Sequence, residues 1–450
     1  MDDVVLINPP YPVLEEPLQE HLGLGYIAAY LREHGVRCAI HDATLASLKV
    51  AELASIVKES GARLVGLSVP YQDSFPDAVE VVRALRADGF EGSIMTGGIF
   101  PSAVSERILA DCSEIDFVVR GEGEETVFAL WSRLSEEADL ATVDGLTYRD
   151  GDQIRVNPAR PLIDDLDSLP DAARDTLPAA LARRGSISVS SSRGCFGRCS
   201  FCSIASFYDD QPGRKYRARS AGRVVDEIQR LTQATGTDKV LFVDAEFIGP
   251  GIRGRDRAIC IAEEILRRGL RIRFRIEARA GSVDPEVFSL LKRAGLEEVF
   301  LGIESGVPEV LKRFDKDTGV EQNIEAINVL RDLKVNTGIG FIMFDPFTTM
   351  DELTANLEFL RQTGIPMSRL AKTVSPDGKL IVFTGTRAER ELRAAGLLDG
   401  DYRHNTYKII DRKARTLQSC LTAAASARRQ VYRAQRALGL LKTPDGTFDY

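Results

Sequence analysis

Short apolar runs alternate along the first 130 positions with longer segments in which apolar residues recur every three or four positions. The runs predict buried strands, and the longer segments predict amphipathic helices. The predicted strands are 4–8, 37–42, 63–69, 93–98 and 116–121, and the predicted helices are 23–35, 50–61, 77–89 and 102–111. This alternation gives a doubly wound parallel sheet with helices on both faces. We therefore expect an α/β domain of Rossmann-like type over residues 1–136.

A second region of alternation covers residues 183–380. Its predicted strands are 187–191, 239–244, 271–277, 298–303, 337–344 and 367–373, with helices between them. Six consecutive strand–helix units predict a partial (β/α)6 barrel of TIM-like form. Residues 137–182 are rich in proline and acidic residues and predict a linker with a short hairpin. Residues 381–450 predict a small helical C-terminal region.

Composition narrows the classes of function. The chain has 450 residues, of which 44% are hydrophobic, which excludes a disordered chain. No apolar run of about 18 residues occurs, so we expect no membrane span. The N-terminal sequence MDDVVLINPPY lacks the basic start of a signal peptide, which predicts a cytoplasmic protein. A net charge of −8 disfavours nucleic-acid binding.

Three of the seven cysteines lie close together in the sequence. Cys195, Cys199 and Cys202 have the spacing C-x3-C-x2-C and follow the first predicted strand of the second region. Active sites of βα barrels lie at this end of the strands. Structural zinc takes four ligands, whereas three cysteines on a four-iron cluster leave one iron open for a small molecule. The pattern favours an iron–sulfur cluster; zinc with a distant fourth ligand and unligated thiols are the alternatives.

This motif, with the aromatic residue Phe201 before the third cysteine, resembles that of the radical S-adenosylmethionine superfamily. The resemblance implies a [4Fe-4S] cluster on Cys195, Cys199 and Cys202, with S-adenosylmethionine on the open iron and Phe201 as an apolar cover. It also implies reductive cleavage of S-adenosylmethionine to a 5′-deoxyadenosyl radical, which abstracts hydrogen from an unreactive C–H bond. Flavodoxin or ferredoxin is the kind of electron donor expected.

The resemblance extends to the later strands of the second region. Glu246, with Asp244 as the alternative, would hold the ammonium group of S-adenosylmethionine. Glu277 would contact its ribose hydroxyls and Arg279 its carboxylate, while Glu304 lies in a G-I-E-S-G element typical of the family. For each acidic residue, a structural ion pair at the end of the sheet is the alternative. The turn after the fifth strand, FDPFTT, departs from the G-x-P-G-E-T of many relatives.

Short motifs at the carboxyl ends of the N-terminal strands resemble those of the cobalamin-binding branch of the same superfamily. The residues in these motifs that would contact cobalamin are Asn8, Pro9, Tyr11, Gly25, Tyr26, Gly97, Gly98, Gly121, Glu122 and Gly123. The loop with Ser68, Tyr71 and Gln72 would approach the lower face of cobalt. The D-x-H-x-x-G motif is absent, so cobalamin is expected without a histidine ligand from the protein. A domain that binds no cobalt is the alternative.

Together these features predict a cobalamin-dependent radical enzyme that methylates an unactivated carbon of a small biosynthetic intermediate, such as a natural-product precursor. The alternative is radical rearrangement, cyclisation, oxidation or sulfur insertion without methyl transfer, with cobalamin assisting or not bound. A transfer-RNA methylthiotransferase is disfavoured because only Cys38 and Cys112 lie upstream of the motif. An iron–sulfur sensor or electron carrier would not need the carboxylates. Neither a nucleic-acid nor a membrane partner is expected.

Overall fold

The N-terminal region forms a doubly wound sheet, as predicted. The computed structural model describes residues 2–11, 17–365 and 378–437. The strands of this sheet are β1 (Val4–Asn8), β2 (Cys38–Asp42), β3 (Leu64–Ser68), β4 (Ser93–Gly97), β5 (Phe117–Val119), β6 (Leu146–Asp150) and β7 (Gln153–Val156). They lie in the order β2-β1-β3-β4-β5-β6-β7, with the first five parallel. The order reverses between β1 and β3, and ligands of such sheets bind at this switch point.

Helices cover both faces of this sheet. They are α1 (Leu22–Glu33), α2 (Ala43–Ala46), α3 (Val50–Ser60), α4 (Phe75–Ala87), α5 (Ile99–Ala103), α6 (Ser105–Asp111) and α7 (Glu124–Glu136), and α8 (Leu177–Ala182) follows the sheet. Leu31 of α1 and Leu130 of α7 pack on one face, and Leu53 of α3 and Leu85 of α4 pack on the other. Because these side chains recur at helical spacing, each helix buries one apolar stripe against the sheet.

The hairpin predicted near residue 150 extends the N-terminal sheet. β6 pairs antiparallel with β5, and β7 pairs antiparallel with β6. Part of the segment predicted as a linker therefore contributes two strands, although the division of the chain at residues 136, 182 and 380 stays a prediction.

The second region forms an open parallel sheet. Its strands are β8 (Ile187–Val189), β11 (Lys239–Phe242), β12 (Arg273–Arg279), β13 (Leu296–Glu304) and β14 (Asn336–Phe341), and β9 (Ser192–Arg193) and β10 (Arg217–Ala218) form a separate pair. The order is β14-β13-β12-β11-β8. The sixth predicted strand, 367–373, lies outside the described residues. Over the described ranges, five strands stand where six were predicted, and the barrel does not close.

Helices flank the second sheet and follow it. They are α9 (Ser203–Asp209), α10 (Ala221–Thr235), α11 (Gly251–Arg267), α12 (Pro285–Ala294), α13 (Pro308–Arg313), α14 (Val320–Asp332), α15 (Met350–Thr363), α16 (Arg387–Ala394) and α17 (Arg412–Ala437). The C-terminal region also contains a hairpin of β15 (Leu398–Asp401) and β16 (His404–Tyr407). The hydroxyl of Tyr402 in this hairpin donates to Asp111 at 2.8 Å and so ties it to the N-terminal region. Among the described helices, none has the length and apolarity to cross a bilayer.

Candidate active site

The carboxyl ends of the two sheets face each other across a cavity of about 320 Å³. Predicted site residues that line it from the N-terminal sheet are Tyr26, Ser68, Gly97, Gly98, Gly121, Glu122 and Gly123. From the second region, Arg193 and Gly194 of the cysteine loop and Val243 after β11 complete the wall. Gly98 has φ of 113°, and a Cβ there would lie 2.8 Å from the carbonyl oxygen of Val69. The cavity therefore joins the predicted cobalamin site to the cysteine loop.

Asp244 holds the start of the cysteine loop. Its Oδ1 accepts from the backbone N–H groups of Ser191 at 2.8 Å and Ser192 at 2.5 Å, and its Oδ2 accepts from the Ser191 hydroxyl at 2.7 Å. Further along the loop, a Cβ on Gly194 would lie 1.8 Å from the carbonyl oxygen of Lys215, so only glycine fits there. Both oxygens of Asp244 are therefore used to hold the backbone at the start of the cysteine loop.

The three cysteines follow on this loop and are all partly exposed. The Gly197 N–H donates to Cys195 Sγ at 3.3 Å, and Arg279 Nη1 lies 3.6 Å from Cys199 Sγ. Burial raises the pKa of the Cys195 thiol, and it raises the pKa of Cys202 to about 11. A bound metal stabilises thiolates against this burial cost.

Three thiols beside a cationic side chain are a donor set suited to a [4Fe-4S] cluster with one open iron. No group of three or more possible ligands in the described chain is already arranged to hold a metal. The fit therefore rests on the donor set and its surroundings, and cluster binding requires the three side chains to converge. Phe201 packs edge-on against Phe314, with ring centroids 5.3 Å apart, on the apolar side of the loop.

Glu246 has one uncommitted oxygen in a fully buried position. Its Oε2 accepts from the Arg279 backbone N–H at 2.7 Å, whereas Oε1 has no partner at normal hydrogen-bond distance among the described residues. Burial raises the pKa of Glu246 to about 7. The Ser282 hydroxyl and the Gly249 backbone lie near enough to oppose part of the rise in the pKa. A buried carboxylate with an unpaired oxygen suits a cationic ligand such as an ammonium group. Because Asp244 is already satisfied, the geometry favours Glu246 over Asp244 for this role.

A second, polar cavity of about 460 Å³ lies beside these residues and is lined by Phe196, Arg279, Ser282, Lys316 and Thr318. Lys316 is buried, and its Nζ lies 3.1 Å from Oε1 of Glu304. The Thr318 hydroxyl is buried without a partner among the described residues. Two cations and a free hydroxyl are suited to binding a carboxylate.

Sequence reasoning missed Lys316. Glu304 ends β13 with φ of 65°, where the pairing with β14 shifts register. This turn directs the chain through α13, and Lys316 follows that helix. Its charge resembles that of many surface lysines in the sequence, and only the tertiary contact with Glu304 singles it out.

Residues from the N-terminal region also approach the cysteines. Tyr71 is half-exposed at the residue level, and partial burial together with the charges of Glu277 and Cys202 raises the pKa of its hydroxyl. Glu277 is half-buried, and burial raises its pKa. Tyr71 packs against Phe383, with ring centroids 5.5 Å apart. The loop after β3 therefore packs against the C-terminal region through Tyr71 and Phe383.

Gln72 joins the loop after β3 to the C-terminal region. Its side chain is buried, with Oε1 accepting from the Thr384 N–H at 2.9 Å and Nε2 donating to the Val382 carbonyl at 3.3 Å. These bonds anchor residues of the C-terminal region to the loop after β3. Both ends of the Gln72 amide are therefore engaged within the protein, and the approach to cobalt predicted for this residue stays a prediction.

The first N-terminal motif does not line the cavity of about 320 Å³ between the two sheets. Tyr11 donates its hydroxyl to Asn8, and Thr44 donates its hydroxyl to the Pro9 carbonyl at 2.9 Å. None of Asn8, Pro9 and Tyr11 lines that cavity. Gly25 serves close packing, since a Cβ there would lie 2.8 Å from the Ala173 carbonyl oxygen. The cobalamin contacts predicted for these four residues stay predictions.

Glu122 is committed to ion pairs between the two regions. Its carboxylate lies 3.1 Å from Arg193 and 2.8 Å from Arg217, and it accepts from the Ile163 N–H at 2.9 Å. Glu124 also pairs with Arg193, at 2.6 Å. Burial opposes ionisation, but the two guanidinium groups hold the pKa of Glu122 below its usual range. This side chain therefore fixes the cysteine loop against the N-terminal sheet.

The unusual pKa of Glu246 predicts a pH-dependent stability of the ligand-free protein. The folded state retains a proton up to about pH 7, whereas the unfolded carboxyl loses it near 4.5, so stability falls as pH rises between these values. Glu246→Gln removes this pH dependence. The difference in the free energy of unfolding between the variant and wild type should therefore rise by about 3 kcal/mol, in favour of the variant, from about pH 5 to about pH 8. Urea unfolding of both proteins at about pH 5 and at about pH 8 measures this difference. The control Glu358→Gln removes a partly exposed carboxylate that pairs with Arg361 at 2.8 Å, and it should show no such gain. Equal pH profiles for Glu246→Gln and wild type would contradict the assignment.

Comparison with known proteins agrees with this geometry. The family model described as the radical SAM superfamily matches residues 189–360, and the model of the B12 binding domain matches residues 17–130. An uncharacterized methyltransferase of Pyrococcus horikoshii is 30% identical over 348 residues, which cover 76% of this chain and 73% of the relative.

Two further relatives are longer than this chain. A 4′-phospho-dehydrooxetanocin synthase of Priestia megaterium is 29% identical over 80% of this chain and 50% of its own length. A hopanoid C-3 methylase of Methylococcus capsulatus is 31% identical over 72% of this chain and 61% of its own length. The chain thus spans between half and two thirds of these two relatives.

The solved structure of the cobalamin-dependent S-adenosylmethionine radical enzyme OxsB, with aqua-cobalamin and S-adenosylmethionine bound, has the same fold. Its TM-score is 0.84 at 23% identity, over 99% of this chain and 69% of that one. These findings confirm the predicted family, its two α/β regions and its cofactors. The chain belongs to the cobalamin-binding branch of the radical S-adenosylmethionine superfamily, whose members use a [4Fe-4S] cluster, S-adenosylmethionine and cobalamin.

Proposed function

We propose that this protein transfers a methyl group from S-adenosylmethionine to an unactivated carbon of a small biosynthetic intermediate. The observation that carries the proposal is the shared cavity of about 320 Å³, which places the carboxyl ends of the B12-binding sheet opposite the cysteine loop. A carbon radical formed near the loop would then lie within reach of a methyl carrier on the opposite wall. The methyltransferase and C-3 methylase names of two relatives support the same reaction.

The residues of the site have distinct roles in this reaction. Cys195, Cys199 and Cys202 would hold the cluster, and Glu246 would pair with the ammonium group of S-adenosylmethionine. Arg279 and Lys316 would orient its carboxylate. When bound, the cluster supplies the electron that cleaves S-adenosylmethionine to a 5′-deoxyadenosyl radical, and cobalamin supplies the carrier for the methyl group.

The surrounding chain would position the substrate and exclude water. Tyr71 and Phe383 form an aromatic pair that joins the loop after β3 to the C-terminal region. We propose that this pair borders the substrate and that Glu277 accepts hydrogen bonds from the ribose hydroxyls. We further propose flavodoxin or ferredoxin as the class of electron donor.

Among the described residues, His21 is the one histidine that lines the cavity of about 320 Å³ between the two sheets, and both of its ring nitrogens are engaged within the protein. It is therefore unsuited to ligate cobalt, in keeping with the prediction that cobalamin binds without a histidine ligand from the chain.

Lys316→Met is expected to weaken binding of S-adenosylmethionine by about ten- to a hundredfold, because it removes a buried charged donor from the carboxylate site. Equilibrium dialysis with the cluster-loaded enzyme measures the dissociation constant. Lys316→Arg retains the charge and should recover part of the affinity. The exposed neighbour Lys312→Met is the control and should bind as wild type does. Wild-type affinity in Lys316→Met would remove Lys316 from the site.

The alternative function keeps the radical and omits methyl transfer, and the synthase name of one relative favours it. The two are separated by the products of S-adenosylmethionine in the reduced enzyme. Methyl transfer consumes one molecule to 5′-deoxyadenosine and methionine and a second to S-adenosylhomocysteine. We expect S-adenosylhomocysteine to form only when cobalamin is present. Formation of 5′-deoxyadenosine with no S-adenosylhomocysteine in the presence of cobalamin would favour the rearrangement, cyclisation or oxidation alternatives.

A further inference from the structure

Ser200 lies between the second and third cysteines of the motif and fixes the outer side of the cysteine loop. It is buried, and its backbone N–H donates to the Phe314 carbonyl at 2.9 Å. Its own carbonyl accepts from the Ala388 N–H at 2.8 Å, and its hydroxyl lies 3.4 Å from the Arg313 carbonyl. The end of α13 and the start of α16 are therefore hydrogen-bonded directly to the segment between two cysteines of the motif.

The inner side of the loop has no room for a protein partner. Arg193 and Gly194 line the cavity of about 320 Å³ between the two sheets, and Arg279 approaches Cys199 from the predicted site of S-adenosylmethionine. A cavity of this size holds small molecules and excludes a folded protein. A protein that delivers electrons to the cluster must therefore dock on the outer side, where hydrogen bonds through Ser200 lead to the cysteines.

Aromatic side chains follow the same direction from the cysteines to the surface. Phe201, which precedes Cys202, packs edge-on against Phe314 with ring centroids 5.3 Å apart. The preceding residue, Arg313, has its guanidinium 5.8 Å from the centre of the Phe347 ring, and Phe347 is 41% exposed. These four residues form a continuous line of neighbours from Cys202 to the surface.

Cationic side chains lie beside this line. Arg198 and Lys312 are exposed, and no ion pair neutralises either of them among the described residues. Arg387, whose side chain is 42% exposed, donates to the Arg198 carbonyl at 3.1 Å and pairs with Asp315 at 2.7 Å. Arg390 is also exposed on α16. We use the name outer face for Arg198, Lys312, Phe347, Arg387 and Arg390.

The charge of the outer face indicates an acidic partner. Asp315 and Glu391 offset the charge of Arg387, so the other three cations give this face a net positive charge. The whole chain carries −8 and repels an acidic protein, so a local cationic face decides where such a protein binds. Electron-carrier proteins form small, transient interfaces, which need only a face of limited area.

We propose that the outer face is the docking surface for a flavodoxin, a small acidic protein that exposes the edge of its flavin ring. Phe347 provides an apolar contact for that edge, and the cations contact the carboxylates around it. One electron leaves the reduced flavin, which is thereby oxidised, and reduces the cluster; no covalent bond changes in this step. The inference rests on the cluster chemistry of the proposed function and does not depend on methyl transfer.

The test reverses two charges of the outer face in the double variant Arg198→Glu, Lys312→Glu. Binding of oxidised flavodoxin to the full-length, cluster-loaded protein is measured by isothermal titration calorimetry at low ionic strength. The double variant should bind about tenfold more weakly than wild type, and added salt should narrow the difference. Formation of 5′-deoxyadenosine with limiting reduced flavodoxin should slow by a similar factor. With dithionite, a small reductant that needs no docking surface, the double variant should match wild type.

Arg271→Glu is the matched control, because Arg271 is an exposed cation just before the amino end of β12, away from the cysteine loop. It should bind and use flavodoxin as wild type does. Three results would overturn the inference: wild-type affinity for flavodoxin in the double variant, an equal loss of activity with dithionite, or tighter binding of a ferredoxin than of flavodoxin by wild type.

Failure of the proposed function gives a different set of results. Wild-type protein that binds flavodoxin through the outer face and forms no 5′-deoxyadenosine with either reductant would reject the cluster chemistry. Formation of 5′-deoxyadenosine without S-adenosylhomocysteine would reject methyl transfer alone. In both cases the binding data for the double variant would still decide whether the outer face is the docking surface.

Discussion

Cys199→Ala is expected to abolish reductive cleavage of S-adenosylmethionine, with 5′-deoxyadenosine falling to background. Two cysteines hold a four-iron cluster too weakly to keep one iron open for the methionyl group, and Arg279 loses the sulfur that lies 3.6 Å away. The measurement is product analysis by chromatography after anaerobic reduction, together with the iron content of each preparation. The same loss is expected for Cys195→Ala and Cys202→Ala.

Cys260→Ala is the matched control for this prediction. Cys260 is exposed on α11, outside the cysteine loop, so its loss should change neither the iron content nor the yield of 5′-deoxyadenosine. Full cleavage activity in Cys199→Ala, with wild-type iron, would show that a different set of ligands holds the metal.

Arg193→Met is expected to lower the free energy of unfolding by about 3–5 kcal/mol, because it removes a cationic partner from the buried carboxylates of Glu122 and Glu124. The Arg193 guanidinium lies 3.1 Å from Glu122 and 2.6 Å from Glu124 and joins the cysteine loop to the N-terminal sheet. Urea unfolding followed by circular dichroism measures the change. We also expect weaker cobalamin binding, since Arg193 lines the shared cavity.

Arg214→Met is the control for the loss of an arginine ion pair. Arg214 lies 2.7 Å from Asp164, but both side chains are about two-thirds exposed. Its loss should cost at most about 1 kcal/mol. If Arg193→Met is as stable as Arg214→Met, the buried network does not hold the two regions together.

The sequence was sufficient to predict the five parallel strands of the N-terminal sheet and the five described parallel strands of the second region, because buried parallel strands are nearly continuous apolar runs. β1 illustrates this, since all five of its residues are buried. The cysteine loop was equally predictable, because its spacing requires no knowledge of distant contacts. The hairpin of β15 and β16 was missed, since its strands are short and mostly polar.

The detailed roles of the site residues depend on contacts between distant segments, and these were not predictable. Asp244 and Glu246 are two positions apart, yet one is saturated by Ser191 and Ser192 and the other has a free oxygen. The motif predicts carboxylates there but not their partners. Likewise Glu122 lines the cavity between the two sheets, as the motif predicts, but its ion pair with Arg193, more than 70 positions away along the sequence, was not predictable.

His21 and Lys316 are two site residues that the sequence alone did not indicate. Neither lies in a motif, and each becomes notable only through a contact: His21 with Ser68, and Lys316 with Glu304. A single histidine or lysine in a sequence is most often a surface residue, so the pattern of the chain gives no reason to select it.

The metal content of the protein tests the central claim most directly. The full chain is purified and reconstituted without oxygen, given cobalamin, freed of excess reagents and assayed for iron and cobalt in one sample. We expect about four iron atoms and about one cobalt atom per chain. Iron without cobalt would contradict the two-cofactor site, and zinc in place of iron would contradict the radical chemistry itself.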